Sequence, residues 1–369
     1  MSCLKTDAAL SFDTVSDFRI HEVELSLPQG DEILVEMKAV GICHTDLVAR
    51  AMSPAGTPAV LGHEGAGVVA AVGADVHDVA VGDCVLISFA SCGLCDSCAA
   101  GSPAYCTRFA EANVSGRRLD GSATLRHGAE VVFGSFFGQS SFARHAVTAR
   151  RNAVVVAPGS DLVEMASFGC GVQTGAGAIL DILRPDPTSR VIVYGLGGVG
   201  MAAVMAASYL GARQIVGVDM SPSRLETALE VGATHVLDGG DPEIANAVDE
   251  LTDGGPTHAF DTTGNPAVIR GAARSLRRGG TLVVVGTGPA DVSVDVQDLI
   301  AGGKTVRGCI EGDADPQVMI PRLVRLHQEG HLPMHHIVHR FDFGDINDAV
   351  SSAVSGASIK PVLTFSTGQ

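Results

Sequence analysis

From residue 190 onward the chain alternates short apolar runs with longer stretches rich in helix formers. The runs are VIVYG (191–195), QIVGVD (214–219), THVLD (234–238), HAFDTTG (258–264), TLVVVG (281–286) and KTVRGC (304–309). Most are apolar at consecutive positions rather than every second one, the pattern of parallel strands buried on both faces. The stretch VGMAAVMAASYLGA follows the first run, and a helix from Ser221 to about Val231 follows the second. Strand and helix in regular succession predict an α/β fold with a doubly wound, parallel six-stranded sheet.

The first 150 residues read differently. Short strand-like pieces, EILVEMKAV, GAGVVAAV, GDCVLIS and FARHAVTA, are punctuated by Gly and Asp, without regular crossover helices between them. This predicts an irregular, mostly antiparallel β domain. The tail SIKPVLTF reads as a last strand returning to it. The expected division is 1–170, completed by 312–369, for the β-rich domain and 171–311 for the α/β domain; 369 residues accommodate two domains.

Composition narrows the partners. A formal net charge of −16 argues against nucleic acid or an anionic membrane as the main partner. The sequence contains no long uncharged apolar run and no secretory signal pattern at MSCLKTDAALSFD, so a cytoplasmic location is expected.

VYGLGGVG places Gly195, Gly197 and Gly200 in the order G-x-G-x-x-G, with Gly198 and Val199 inside the loop. In a chain with 45 glycines the pattern alone carries little weight. Here, however, it follows a strand and opens a helix. That is where a tight turn, close backbone approach and free helix N–H groups serve a pyrophosphate. Asp219 ends the next strand, 24 residues after Gly195. A carboxylate there accepts hydrogen bonds from ribose hydroxyls and repels a 2′-phosphate, which predicts NAD rather than NADP.

Nine cysteines are present, four of them in CGLCDSCAAGSPAYC: Cys92, Cys95, Cys98 and Cys106, spaced C-x2-C-x2-C-x7-C. In a reducing compartment such a cluster reads as a closed tetrahedral zinc site, which is structural, before a disulfide framework or redox pair. Cys43, His63, Glu64 and Cys170 are dispersed. Two thiolates and one imidazole make a known catalytic zinc set. Singly, Cys43 and Cys170 also read as small buried side chains and His63 as a core histidine, and spacing does not bring them together. HLPMHHIVHR (331–340) reads as surface or strand packing, and Cys3, Cys84 and Cys309 as plain thiols.

Nearly end to end, the chain resembles the zinc-dependent medium-chain alcohol dehydrogenases. The motifs that carry the likeness are VGICHTD, LGHEGAGVV, the four-cysteine loop, GCGVQTG, VYGLGGVG, GVDMSPSRLE, EVGATHVLD and SIKPVLTF, in family order. Within the family, FFGQSSFA and Val48 are most like bacterial aryl-alcohol dehydrogenases. The resemblance implies a GroES-like catalytic domain, a Rossmann domain and a site in the cleft between them, with two zinc ions per chain. Cys43, His63 and Cys170 would bind the catalytic zinc, with Asp46 and Glu64 close behind. Thr45 would share the alcohol proton, and His44 would reach the cofactor pyrophosphate. Thr174 and Val199 would border the nicotinamide, and Arg224 the adenosine ribose. Lys360 stands where a pyrophosphate-binding Arg is common. Val48 occupies the place of a proton-relay His. The family's dimers join sheets near the strand 281–286 and DVSVDVQDLI (291–300), which predicts a homodimer or homotetramer.

Phe136 and Phe137 match positions lining the family's alcohol pocket, and Phe89 and Ile310 are expected to join them. They imply a primary alcohol or aldehyde with a flat aromatic or allylic group: benzyl, cinnamyl or terpenoid. Two alternatives stand beside this reading. One is a formaldehyde dehydrogenase dependent on mycothiol or glutathione. The other, of a different class, is a zinc-ribbon binding module without catalysis.

Overall fold

The computed structural model describes residues 3–52 and 56–366. They form two compact units: 1–170 with 315–324 and 338–369, and 171–314 with 325–337.

The first unit carries two mostly antiparallel sheets. One has five strands in the order Ala59–Val60, Cys3–Ser11, Arg19–Ser26, Leu125–His127, Glu130–Val131. In Arg19–Ser26, Val23 and Leu25 are buried while Glu22 and Glu24 point outward, as expected of a strand covered on one face. The second sheet runs Ala153–Val156, Cys84–Ile87, Glu64–Val72, Glu32–Gly41, Lys360–Thr364, Val338–Asp342, with His145–Ala149 also on Glu32–Gly41. The tail strand thus returns to the first unit, where Val362 pairs with Gly41. Two findings differ from expectation. The strands Cys3–Ser11 and Arg19–Ser26, which the sequence pattern did not single out, pair over eight registered positions. A helix, His44–Met52, begins three residues after the strand Glu32–Gly41.

The second unit is a parallel sheet in the order His235–Asp238, Gln214–Asp219, Arg190–Tyr194, His258–Asp261, Thr281–Val284, Thr305–Gly308. Ile192, Val216, Val218, Ala259 and Leu282 form its core with helix residues Val248, Ile269, Ala272 and Ala273. Burying each Val, Leu or Ile contributes roughly 1.5–3 kcal/mol. The expected helix is Pro222–Glu230, with Ser221 at its N-cap position and proline in its first turn. Thr281–Val284 has neighbours on both sides, so the 281–286 strand does not offer an open edge for a second sheet. This corrects that part of the dimer expectation: the sheet's edges are His235–Asp238 and Thr305–Gly308, and the latter is the one beside Thr281–Val284.

Candidate metal and dinucleotide sites

Sheet register assembles the dispersed ligand set. Gly41 pairs with Glu64, which brings Cys43, two residues past the strand end, to His63 and Glu64 at the start of the facing strand. A Cβ on Gly41 would lie 2.1 Å from Glu64 Oε2, so glycine leaves room for that carboxylate. Cys170 closes a short 3-10 turn, Ala166–Gly169, whose Gly169 carbonyl accepts a 2.6 Å hydrogen bond from Ser88 Oγ. One ligand atom each from Cys43, His63, Glu64 and Cys170 lie within 4.8 Å of one another.

Asp46 fixes His63. Its Oδ1 lies 2.8 Å from Nδ1 and accepts from Gly62 N at 3.0 Å, while Oδ2 accepts from Cys43 N at 2.9 Å. Nε2 is left for the thiols, buried and without a hydrogen-bond partner. An orphaned imidazole nitrogen beside two thiols is a donor set that fits Zn²⁺. Burial pulls the His63 pKa down, but the Asp46 carboxylate and the Cys43 thiol outweigh it and raise it. The hydrogen bond with Cys170, helped by His63 and Lys360 against burial, holds Cys43 well below the ordinary thiol value.

Glu64 and Lys360 are both buried. Nζ donates to Glu64 Oε2 at 2.9 Å, Glu64 Oε1 at 3.0 Å and the Ile42 carbonyl at 3.3 Å. At 4% exposure, this ammonium is committed to partners within its own unit. The resemblance implied a pyrophosphate for Lys360; the acceptors it meets here are Glu64 and the Ile42 carbonyl. Burial raises the Glu64 pKa and Lys360 works against it.

Thr45 and His44 occupy the first turn of the helix His44–Met52; His44 is exposed, and Thr45 and Val48 are half-buried. Phe136 and Phe137 pack on His63, with centroids at 5.5 Å edge-on and 4.5 Å at 33°. Phe89 is not against His63. Its ring meets Phe109 at 5.8 Å, and Phe109 in turn meets Phe137 at 6.3 Å. Phe109 went unremarked in the sequence. Ile310 lies in the second unit, just after the strand Thr305–Gly308.

The four clustered cysteines converge. Cys95 and Cys98 Sγ lie 3.5 Å apart, Cys95 and Cys106 3.9 Å, and Cys92 and Cys98 4.0 Å. Such spacings are close to the edge, about 3.8 Å, of a tetrahedron with Zn–S of about 2.3 Å, and far from a disulfide. Cys106 Sγ also accepts from the backbone N–H groups of Cys92 and Arg108. Backbone N–H groups of Cys98 and Thr107 bring Cys95 down to about 5.

In the second unit the strand Arg190–Tyr194 ends at Gly195, whose φ of +87° makes the turn. Gly197 caps the helix Gly198–Tyr209. A Cβ on Gly200 would sit 1.8 Å from the Gly195 carbonyl oxygen, whereas one on Gly197 would meet no atom within 4 Å. The space above Gly197 is a cradle that only a side chain would fill, and it fits a dinucleotide phosphate. Asp219 Oδ2 accepts from Leu196 N at 2.7 Å, and Arg224 Nη1 is 3.8 Å from the same oxygen. Thr174 lies on the helix Gly171–Gly177, which packs against Val199. Among the described residues, no helix is long and apolar enough to cross a membrane.

Comparison with known proteins agrees with this geometry. Residues 29–159 match the alcohol dehydrogenase GroES-like domain, and residues 198–328 match the zinc-binding dehydrogenase domain. The chain is 40% identical over 366 residues to a geraniol dehydrogenase of Castellaniella defragrans, covering 98% of each. Its fold superposes at a TM-score of 0.96 and 42% identity on an alcohol dehydrogenase zinc-binding domain protein from Burkholderia ambifaria, over 99% of this chain and 100% of that one. A benzyl alcohol dehydrogenase from Acinetobacter calcoaceticus gives 0.94 and 39%, over 98% and 100%. With its GroES-like unit, its parallel six-stranded unit and this relationship along nearly the whole chain, the protein belongs to the zinc-dependent medium-chain alcohol dehydrogenases.

Proposed function

We propose that the chain oxidises primary alcohols with flat allylic or aromatic groups to aldehydes, and reduces the aldehydes, using NAD and one catalytic zinc. The observation that carries the substrate class is the pair of rings, Phe136 and Phe137, packed on His63 of the ligand cluster. The geraniol and benzyl alcohol dehydrogenase relatives support it.

Cys43, His63 and Cys170 would hold a zinc that lowers the pKa of an alcohol oxygen. NAD would supply the hydride acceptor. The chain's own residues align and balance charge. Asp46 holds the His63 ring through Nδ1, and Lys360 offsets the buried charge of Glu64. Thr45 would share the alcohol proton. Val48 has no group to pass it on, so it leaves through His44 or water. Asp219 would take the ribose hydroxyls and turn away a 2′-phosphate, with Arg224 and Thr174 beside the cofactor. Cys92, Cys95, Cys98 and Cys106 would hold a second, structural zinc. A homodimer or homotetramer would form through the edge strand Thr305–Gly308, where exposed Val296 and Ile300 flank a groove lined by Val292, Val294 and Val306.

The test is NADH formation with geraniol, cinnamyl alcohol, benzyl alcohol, ethanol, and formaldehyde with and without mycothiol or glutathione. We expect kcat/KM for the flat alcohols to exceed that for ethanol by about 100-fold or more, the scale of a few kcal/mol of apolar pocket contact. A preference for ethanol, or formaldehyde turnover that requires the thiol, would overturn the substrate class.

A further inference from the structure

The segment 135–142, SFFGQSSF, is held in an unusual backbone conformation. Ser135, Phe137 and Ser140 all have φ between +50° and +57°, and Gly138 has φ +67°. Non-glycine residues in this region cost free energy that surrounding contacts must offset.

Those contacts run along 60–65, the loop that carries His63. Ser140 Oγ donates to Val60 O at 2.6 Å, and Phe142 N to Leu61 O at 2.9 Å. Ser141 N donates to Gly62 O at 2.9 Å. Gln139 Nε2 donates to His63 O at 2.9 Å, while its Oε1 accepts from Gly65 N at 3.1 Å and from Ser141 Oγ. Every carbonyl from Val60 to His63 is therefore taken by this one segment. Gln139 is buried, and its amide clasps the main chain just past the side chain that offers Nε2, at the His63 carbonyl and the Gly65 N–H. On the same turn, Phe136 and Phe137 present their rings to the His63 imidazole.

We propose that Gln139 is a positioning residue for His63: its amide fixes the main chain at the ligand while the strained turn sets the two rings that hold the imidazole plane. The inference rests on the reading of His63 as a catalytic-zinc ligand. Asp46 holds one ring nitrogen and the Gly62 N–H ahead of the ligand, which leaves rotation about the ring's hydrogen bond and the carbonyl side of His63 for other groups to fix. The amide and the rings remove both freedoms. The turn that shapes the apolar wall is thereby the turn that aims the ligand.

The test uses holoenzyme in which zinc is replaced by cobalt, read by its visible d–d bands and by the rate at which a chelator removes the more labile ion. Gln139→Met keeps the side-chain length and removes the amide's hydrogen bonds with His63 O, Gly65 N, Ser141 Oγ and, at 3.4 Å, Ser88 O. It should shift the bands and speed cobalt loss about 10-fold, the lower end for groups that orient a ligand. Thr252→Val removes a buried hydroxyl bond outside the turn, to the Val248 carbonyl in the second unit; it should lower thermal stability and leave bands and loss rate at the wild-type values. Should Gln139→Met not fold, Gln139→Asn, one methylene too short to bridge, replaces it with the same expectation. Wild-type bands and loss rate in the folded Gln139 variant, or equal changes in Thr252→Val, overturn the proposal. A wild type that takes cobalt at the four-cysteine site alone overturns the ligand assignment, and with it this inference.

Discussion

Two glycines of one loop should respond oppositely to the same methyl group. At Gly200 the added Cβ would lie 1.8 Å from the Gly195 carbonyl oxygen, and an ordinary contact begins at 3.4 Å. Both the oxygen and the helix carrying Gly200 are backbone, so neither swings aside as a side chain would. Overpacking of this kind costs about 3 kcal/mol, against about 1 kcal/mol gained from the better helix propensity of alanine. Gly200→Ala should therefore lower Tm by several degrees, at about 2–4 °C per kcal/mol for a chain of this scale. At Gly197 the backbone, φ −72° and ψ −172°, suits alanine, and the Cβ meets nothing within 4 Å. The unfolded-state gain and the poorer cap nearly cancel, so Gly197→Ala should leave Tm within about 2 °C.

Dinucleotide binding reverses the ranking of concern. The methyl at Gly197 fills the space a pyrophosphate needs to reach the helix N–H groups. Losing hydrogen bonds to a charged group costs about 1.5–3 kcal/mol, or roughly 10- to 150-fold in Kd. The chain has no Trp, so calorimetric NAD titration is the suitable assay, paired with calorimetric unfolding. Wild-type NAD affinity in Gly197→Ala would refute the cradle. An unchanged Tm in Gly200→Ala would refute the close-packing argument.

Three further outcomes are expected. Metal analysis should find two zinc ions per chain; Cys95→Ser should lower Tm by about 5 °C or more, and Cys170→Ser should cut kcat about 100-fold or more with unfolding unchanged. Asp219→Gly should weaken NAD about 10-fold and bring NADP toward parity, measured as the ratio of kcat/KM for the two cofactors. Burial lowers the pKa of His145 and His258 from the ordinary 6.5, so the unfolded chain binds protons that the folded one refuses; their contribution is whole above 6.5 and erodes as pH falls below it. Replacing both with Gln should flatten Tm against pH between about pH 7.5 and pH 5.5.

Much of the parallel sheet was legible because its strands are covered on both faces. Arg190–Tyr194 is buried at four consecutive positions, and nothing but a run of apolar residues satisfies that. Arg19–Ser26 has one wet face, so Glu22 and Glu24 dilute the signal, and its partner is recognised only through pairing with Cys3–Ser11. The helix His44–Met52 hid in the same way. It is short, follows a strand almost directly, and joins no two parallel strands, so no succession of elements announces it.

The same distinction between local and relational information governs the site. Four cysteines within 15 residues state their chemistry by proximity, because the loop that holds them is the loop that spells them. Cys43, His63 and Cys170 are brought together by the register of Gly41 on Glu64 and by a short turn, neither of which is written at those positions. Only a family pattern joins them in sequence. Lys360 lies 296 residues from the carboxylate that claims it. An ammonium can serve a phosphate or a buried Glu, and only the fold shows that a carboxylate stands beside it, where an unpaired Glu64 near two thiols would be costly. Gln139 is the extreme case. Its partners are main-chain atoms of His63 and Gly65, which no side-chain pattern displays. Its neighbours Phe136 and Phe137 were visible as wall residues because aromatic rings are scarce in this chain. The amide that sets their turn was not, since an amide between glycine and serine reads as ordinary loop. What aims a ligand can therefore be less legible than the ligand itself: the ligand is restricted to a few side-chain types, whereas its support need only reach a backbone carbonyl.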